Sequence, residues 1–236
     1  MRCYLNIGNT HTQILRIEPG GGLNLLGTVA TDEFSPEMIH PDELSFIGAA
    51  CVVERLFPVL ADLNAHLVTP EAASKIVDFS LVDASTLGQD RIANAVYLTK
   101  RAILPAVSID FGTCITMEVV DDRRRFLGGA IFPGRTLARR ALNLYTSKLP
   151  FVELADNLPP NMGTNTADAI RMGTDAAAID AVAGSLARVE RTLGRRPTVY
   201  ACGGDRAFFL RAPELAGRMS DGKDNFTLRG IELLFS

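Results

Sequence analysis

The 236-residue sequence predicts an α/β fold built from two related halves. Apolar strand-like runs alternate with helical stretches along the chain, which favours a mostly parallel or mixed sheet. A series of three short strands opens the chain, and a second such series begins at Ala106. In both series a glycine-containing turn follows the first strand. These observations predict two similar domains, and the length allows each about 100 to 120 residues, enough to bury a core.

The composition is that of an ordinary folded protein. Hydrophobic residues make up 47% of the chain and charged residues 22%, and 24 basic against 27 acidic residues give a net charge of −3. These values exclude a disordered tail and nucleic-acid binding through bulk positive charge. No apolar run approaches the roughly 18 residues of a membrane helix, and the chain opens without a secretory signal. We therefore predict a cytoplasmic protein without nucleic-acid or membrane partners.

The first half begins with three strands across residues 2–29, separated by the polar segment 8–10 and the glycine-rich break 19–22. The pattern then predicts a short helix near residues 36–40, an apolar strand over residues 44–53 and a helical stretch to about Asn64. A further helix is expected from Gly88 to about Arg101.

The second half repeats the opening pattern, with strands over residues 106–110, 116–121 and 126–131. Pro133 is expected to begin a helix, because a proline at the first helical position loses no hydrogen bond. Residues 167–193 are rich in alanine and leucine and predict one or two long helices ending at Gly194. A short strand over residues 197–201 and an amphipathic helix over residues 228–235 complete the chain. We place the domain boundary between residues 1–105 and 106–236.

The turns after the first strand of each series are candidate phosphate sites. They read Asn-Ile-Gly-Asn-Thr over residues 6–10 and Asp-Phe-Gly-Thr-Cys over residues 110–114. Such turns can present backbone N–H and hydroxyl groups to an anion. Each alone could equally be a plain β-turn, but two at matching positions favour a polyphosphate site. Gly203-Gly204 either permits close approach of an adenine or ribose or forms a strand-to-helix turn.

Asp90 and Arg91 are adjacent at the start of a predicted helix. Asp90 can accept a proton from a substrate hydroxyl and Arg91 can bind a substrate carboxylate, as phosphoryl transfer to a small hydroxy acid requires. The alternatives are a helix cap and a solvated charge. Asp110 ends an apolar strand and should have either a bound metal ion or a structural hydrogen bond as its partner. The segment before Thr166 could be a helix start with a hydroxyl cap or a ligand contact.

Several short motifs, taken in order, resemble those of the type III pantothenate kinases. They occupy residues 6–10, 88–91, 110–113, 128–134, 147–150, 163–166 and 202–205. The resemblance covers nearly the whole chain. It implies two actin-like (ribonuclease H-like) halves of the acetate and sugar kinase/Hsp70/actin superfamily with a cleft between them. It also implies a homodimer that uses ATP to convert pantothenate to 4'-phosphopantothenate, the first step of coenzyme A biosynthesis.

The same resemblance implies roles for individual residues. Asp90 would be the proton acceptor, Asp110 would bind a monovalent cation such as K⁺ or NH₄⁺, and Mg²⁺ would accompany ATP. Together with the turns described above, the ATP-binding residues would be Asn6, Gly8, Asn9, Thr10, Gln13, Gly112, Thr113, Gly203 and Gly204. The pantothenate-binding residues would be Leu81, Gly88, Gln89, Asp90, Arg91 and Thr166, the last near the dimer interface.

Three ligand-side positions depart from the family pattern. Asn6 stands where the family has an aspartate, Gln13 where it usually has a lysine, and Leu81 where it tends to have a tyrosine. The first two changes remove charges that help to hold hydrated magnesium and phosphate. Three hypotheses follow: a pantothenate kinase of full or weak activity, a catalytically impaired homologue that binds nucleotide or regulates, and a kinase for another small hydroxylated substrate.

Overall fold

The computed structural model describes residues 1–18, 20, 22–223 and 225–236. The chain forms two compact units. Unit 1 comprises Met1–Leu104, Val120–Gly128 and Asn225–Ser236, and unit 2 comprises Pro105–Val119 and Gly129–Asp224. Residues 120–128 and 225–236, which the predicted division at residue 105 assigns to the second half, therefore belong to unit 1.

The predicted strands and helices occur in the predicted order, and four short elements that the sequence did not predict lie at residues 66–67, 70–73, 206–210 and 220–221. Within the described residues the strands are β1 (Arg2–Ile7), β2 (His11–Ile17), β3 (Leu23–Ala30), β4 (Phe46–Cys51), β5 (His66–Leu67), β6 (Ala106–Phe111), β7 (Cys114–Val120), β8 (Phe126–Pro133), β9 (Thr198–Cys202) and β10 (Ser220–Asp221). The α-helices are α1 (Phe57–Asp62), α2 (Pro70–Ala73), α3 (Gln89–Arg101), α4 (Arg135–Leu144), α5 (Thr166–Arg171), α6 (Ala177–Leu193), α7 (Arg206–Leu210) and α8 (Phe226–Phe235). A π-helical turn, Met172–Ala176, joins α5 to α6.

Unit 1 is built on a five-stranded mixed sheet with the strand order β3-β2-β1-β4-β5. The pairs β1–β2 and β2–β3 are antiparallel, whereas β1–β4 and β4–β5 are parallel. Alternating apolar residues of β1, including Cys3, Leu5 and Ile7, enter one buried cluster with residues of β4 and α1. The predicted three-strand opening is confirmed. Pro19 and Gly21 of the predicted break lie outside the described residues.

Helices α3 and α8 pack together in unit 1 at close backbone distance. Gly230 of α8 has no side chain, and a Cβ there would overlap the carbonyl oxygen of Ala93. Beside this contact the Thr227 hydroxyl donates a 2.8 Å hydrogen bond to the side-chain oxygen of Asn94, and both residues are buried. The helix that carries Asp90 is therefore held by the end of the chain.

The second sheet has the strand order β10-β9-β6-β7-β8. It belongs to unit 2 except for Val120 at the end of β7 and residues 126–128 at the start of β8. Strands β6 and β9 are parallel, with Asp110 opposite Cys202. The ring of Phe111, at the end of β6, stacks on that of Phe209 in α7 with centroids 4.0 Å apart. The ends of β6 and β9 therefore lie side by side, and the turns that follow them are neighbours.

Two predicted helix starts differ in detail from the structure. Pro133 is the last residue of β8, Gly134 is the cap residue, and α4 begins only at Arg135. The strand continues because Gly134 packs against the Gly112–Thr113 backbone and donates to the carbonyl oxygen of Thr113. Helix α5 is capped by an amide and not by a hydroxyl: the side chain of Asn165 accepts a 3.0 Å hydrogen bond from the N–H of Asp168.

The predicted end of the long helix is confirmed, since α6 ends at Gly194 with φ 69°. A glycine adopts this left-handed conformation without the steric cost that a side chain brings. Across the described part of the chain, no helix is both long and apolar enough to cross a membrane.

Candidate active site

Asn6 and Gln13 form a direct pair across β1 and β2. They are opposite residues in the antiparallel register, and the Asn6 side-chain amide donates a 3.2 Å hydrogen bond to the Gln13 carbonyl oxygen. Both side chains are half-buried. An aspartate and a lysine at these positions would stand opposite each other as an ion pair. The two departures from the family pattern are therefore one coupled change from a charged pair to a neutral one.

The turn after β1 is held in place by Thr31, a residue that the sequence reasoning did not single out. The Thr31 hydroxyl donates a 2.7 Å hydrogen bond to the carbonyl oxygen of Gly8, and its N–H donates to the carbonyl oxygen of Thr10. Thr31 is buried, whereas Asn9 and Thr10 at the tip of the turn are exposed. The strand register that pairs His11 with Ala30 is the signal that could have located Thr31 beside the turn.

Asp90 lies in the first turn of α3, two residues after the cap residue Gly88. Its carboxylate oxygen accepts a 2.8 Å hydrogen bond from the N–H of Arg91. A Cβ at position 88 would lie 2.7 Å from that same oxygen, so only a glycine leaves room for the carboxylate in this orientation. The glycine at position 88 of the predicted motif thus has a steric reason.

Burial raises the pKa of Asp90 above its ordinary value of 3.8, against the opposing effects of the Arg91 N–H and guanidinium. Desolvation disfavours the charged carboxylate and makes it a stronger base. A carboxylate with a raised pKa at the start of a helix can accept a proton from a hydroxyl group more readily than a fully solvated aspartate can.

The other predicted acceptor-side residues of unit 1 have different surroundings. The side-chain oxygen of Gln89 accepts a 3.0 Å hydrogen bond from the N–H of Cys51, which fastens α3 to the end of β4. The Arg91 side chain is half-buried. Leu81 lies in a turn with 54% of its surface exposed. Gln89 therefore has a structural function, whatever it contacts in a substrate.

In unit 2 the turn after β6 is shorter than the turn after β1. Gly112 donates to the carbonyl oxygen of Cys114, two residues on, whereas Gly8 donates to that of His11, three residues on. Gly112 and Thr113 are exposed. A Cβ on Gly134 would overlap the Gly112 carbonyl oxygen, so α4 begins directly against this turn. The two predicted phosphate turns are similar in position and differ in length by one residue.

Gly203 packs against the end of β6. Its φ is 86°, and a Cβ would overlap the carboxylate of Asp110 and the backbone of Phe111. The Asp110 carboxylate also lies 3.6 Å from the position of a Cβ on Gly112. The structure thus brings Asp110, Gly112 and Gly203 together in unit 2, while Gly204 is exposed and has open space around it.

Thr166 is the first residue of α5 and is exposed. The Asn165 cap before it also donates a 2.8 Å hydrogen bond to the Asp168 carboxylate, so the helix start is rigidly built. This confirms a helix start at the predicted place. A ligand contact of Thr166 stays a prediction.

The side chains near the turns fit a magnesium ion only if the phosphates of ATP supply further ligands. In the part of the chain that the structure describes, no group of three or more histidine, cysteine, aspartate or glutamate side chains could hold an ion. Magnesium commonly takes one or two protein carboxylates together with substrate phosphates and waters. Asn6 lacks a carboxylate, so a magnesium ion here would depend more on the nucleotide than in a site with an aspartate.

Comparison with known proteins gives the chain its family. A family model described as type III pantothenate kinase matches residues 49–188, more than half of the chain. A curated type III pantothenate kinase from Akkermansia muciniphila is 31% identical over 233 residues, covering 95% of this chain and 94% of the relative. The chain belongs to the type III pantothenate kinase family.

Solved structures support the fold. A Campylobacter jejuni protein described as a Baf family transcriptional activator has a TM-score of 0.68 at 18% identity, covering 99% of this chain and 96% of that one. The activator of 2-hydroxyisocaproyl-CoA dehydratase from Clostridium difficile, solved with bound ADPNP, has a TM-score of 0.56 at 12% identity, covering 98% and 92%. This likeness over nearly the whole chain confirms the predicted α/β fold class of actin-like halves for this member of the type III pantothenate kinase family.

Proposed function

We propose that this protein transfers the γ-phosphoryl group of ATP to the primary hydroxyl of pantothenate, the first step of coenzyme A biosynthesis. The observation that carries the proposal is Asp90: a half-buried carboxylate with a raised pKa, oriented by its neighbours inside the segment that matches a pantothenate kinase family. The presence of such a base favours a catalytic protein over one that only binds nucleotide.

In the proposed reaction the pantothenate hydroxyl gives its proton to Asp90 while its oxygen forms a bond to the γ-phosphorus. The bond from that phosphorus to the bridging oxygen breaks, and ADP leaves. Arg91 binds the pantothenate carboxylate, with Leu81, Gly88, Gln89 and Thr166 as further acceptor contacts. When bound, Mg²⁺ and a K⁺ or NH₄⁺ ion at Asp110 offset phosphate charge.

We assign nucleotide contact to the turn residues of both units. In unit 1 these are Asn6, Gly8, Asn9, Thr10 and Gln13, and in unit 2 they are Gly112, Thr113, Gly203 and Gly204. The exposure of Asn9 and Thr10 in the first turn and of Gly112 and Thr113 in the second supports this assignment, because a ligand can reach exposed residues. A cytoplasmic location stays a prediction from the sequence.

The proposal is tested by incubating the purified protein with ATP, pantothenate, Mg²⁺ and K⁺ and measuring ADP and phosphorylated product by mass spectrometry. We expect equal amounts of both, dependent on pantothenate. A panel of other small hydroxy acids tests the different-substrate hypothesis raised by Leu81. ATP binding without product from any acceptor would overturn the kinase proposal.

The neutral Asn6–Gln13 pair favours a second candidate, an impaired homologue that binds nucleotide without efficient transfer. A double-mutant cycle with Asn6→Asp and Gln13→Lys distinguishes the impaired homologue from the active kinase. If the pair is a defect, the double variant should raise kcat/KM for ATP by about 10²-fold or more. Each single variant should raise it by less than about tenfold, because a lone charge lacks its cross-strand partner and contacting residues are non-additive.

Equal kcat/KM values in the unaltered protein and the double variant would show that the neutral pair fully replaces the charged one. That result would reject the impaired-homologue hypothesis. The unfolding temperature of all four proteins serves as the control for changes in folding.

We also propose a homodimer, supported by the unusual surface of α4. This helix buries Arg135 and Arg139 but leaves Leu137 39% and Leu144 74% exposed, and Tyr145 just beyond it is 83% exposed. Arg140 is exposed on the same face as the two leucines, and a surface of large apolar side chains with a single arginine is suited to a protein partner. A second copy of the chain is the partner that the family resemblance implies.

Leu144→Asp should convert a dimer to monomers, because it replaces a large apolar contact by a carboxylate that would lose its hydration in the interface. Sedimentation velocity at micromolar concentration would measure the change. Ile103→Asp is the matched control, since Ile103 is also a strongly exposed apolar residue, 81% exposed, and belongs to unit 1 and not to α4. A monomeric unaltered protein, or a Leu144→Asp variant that remains dimeric, would contradict the proposed interface.

A further inference from the structure

Arg135 connects the first turn of α4 to three other parts of unit 2. Its guanidinium donates a 2.8 Å hydrogen bond to the carbonyl oxygen of Ala155 and a 3.1 Å hydrogen bond to the carboxylate of Asp175. It also lies 3.5 Å from the ring centroid of Phe208 and 3.5 Å from the carboxylate of Asp205. Only 3% of Arg135 is exposed. These contacts leave the guanidinium one orientation.

Asp205 is the group through which Arg135 reaches the glycine loop after β9. The loop consists of Gly203, Gly204 and Asp205, and the Asp205 N–H donates a 2.9 Å hydrogen bond to the carbonyl oxygen of Phe111. The Asp205 side chain is 27% exposed. Its carboxylate therefore stands between a buried arginine on one side and the exposed loop on the other.

Several contacts hold the buried side of the Arg135 guanidinium in place. Asp175, which is fully buried in the π-helical turn, accepts hydrogen bonds from both Arg135 and Arg139. Arg139 also donates to the carbonyl oxygens of Val152 and Glu153. Because Asp175 already neutralises part of the charge and fixes the guanidinium of Arg135, the guanidinium edge that faces Asp205 is a rigid reference point.

We propose that Arg135 is a positioning residue that holds the Gly203–Asp205 loop, through its ion pair with Asp205, in the conformation that contacts the nucleotide. The role in nucleotide contact rests on the proposed function. The ion pair also offsets the negative charge of the Asp205 carboxylate, which would otherwise repel a polyphosphate from the loop. An arginine suits this place better than a lysine because its planar group can serve Asp175, Asp205 and the Phe208 ring at once.

The test compares Asp205→Asn with the unaltered protein. Asparagine keeps the size of the side chain and removes the ion pair, and the partial exposure of Asp205 allows the variant to fold. Arg135→Lys is the second variant. Glu190→Gln is the matched control, because Glu190 is also 27% exposed and forms a 2.9 Å ion pair with Arg218 elsewhere in unit 2.

The first measurement is amide hydrogen exchange of residues 203–206 in the protein without nucleotide. We expect Asp205→Asn to speed exchange there about tenfold, with α6 unchanged, because the loop opens locally. The second is calorimetry with ATP, in which we expect a dissociation constant raised about tenfold and, in kinetics, a raised KM for ATP with kcat altered less than about threefold. Glu190→Gln should change none of these.

Unchanged exchange in Asp205→Asn would overturn the positioning role. Faster exchange with an unchanged ATP dissociation constant would overturn its link to nucleotide. If the unaltered protein binds no ATP, the proposed function fails, whereas the exchange experiment still decides whether Arg135 and Asp205 hold the loop. If Arg135→Lys does not fold, Asp205→Asn alone decides the outcome.

Discussion

Replacing Asp90 by asparagine should lower kcat for phosphoryl transfer by about 10²- to 10⁴-fold, the usual contribution of a general base. Asparagine has the size of aspartate and can keep the contact with the Arg91 N–H, but it cannot accept the hydroxyl proton. ATP affinity should be nearly unchanged, because the variant removes proton transfer and leaves the turns intact. Single-turnover kinetics with ATP and pantothenate would measure the loss.

Asp83→Asn is the matched control for Asp90→Asn. Asp83 also lies near the start of a helical turn, where its carboxylate accepts hydrogen bonds from Ser85, and it is exposed. Its replacement should leave kcat within about twofold. A kcat for Asp90→Asn equal to that of the unaltered protein would contradict the proposed base.

The pH profile provides an independent readout of the same residue. Because burial raises the pKa of Asp90 above 3.8, acidification should protonate the base at a higher pH than an ordinary aspartate. The kcat/KM value should therefore fall with decreasing pH through that raised pKa, and the fall should disappear in Asp90→Asn.

Asp175→Asn is expected to be the most destabilising conservative substitution in unit 2, by about 3 to 5 kcal/mol in the free energy of unfolding. The buried carboxylate receives a 2.6 Å ion pair from Arg139 and a 3.1 Å ion pair from Arg135, and all three residues are at most 3% exposed. Removing the negative charge leaves two buried guanidinium groups without their shared counterion.

Chemical denaturation monitored by circular dichroism would measure this destabilisation. Glu190→Gln, which removes a partly exposed ion pair with Arg218, should cost about 0 to 1 kcal/mol. A loss below about 1 kcal/mol in Asp175→Asn would show that the carbonyl oxygens of Val152, Glu153 and Ala155, to which the two arginines already donate, suffice for them without the carboxylate.

The local pattern of residues was sufficient to predict most of the longer strands and helices. Alternating apolar residues predicted the opening strands, and glycine after the alanine-rich helix predicted the end at Gly194. Local pattern failed where a tertiary contact decided the boundary. Pro133 has the properties of a helix start, but it remains in β8 because Gly134 must first pass against the Gly112 carbonyl oxygen.

For the candidate site, the sequence by itself determined the chemical types: a carboxylate at Asp90, an arginine beside it, and glycine turns after β1, β6 and β9. Residue identity and order along the chain suffice for this, because they define which groups can donate, accept or carry charge. They also determined the family, through motifs whose spacing is specific.

Only the tertiary structure decided which of these groups act on one another. The hydrogen bond between Asn6 and Gln13 depends on the register of two strands, and it turns two separate departures into one coupled pair. The contacts of Arg135 join residues 20 to 70 positions apart in the chain. Such contacts arise when distant segments pack together, and no local pattern encodes them, which is why Arg135, Asp175 and Thr31 were missed from the sequence.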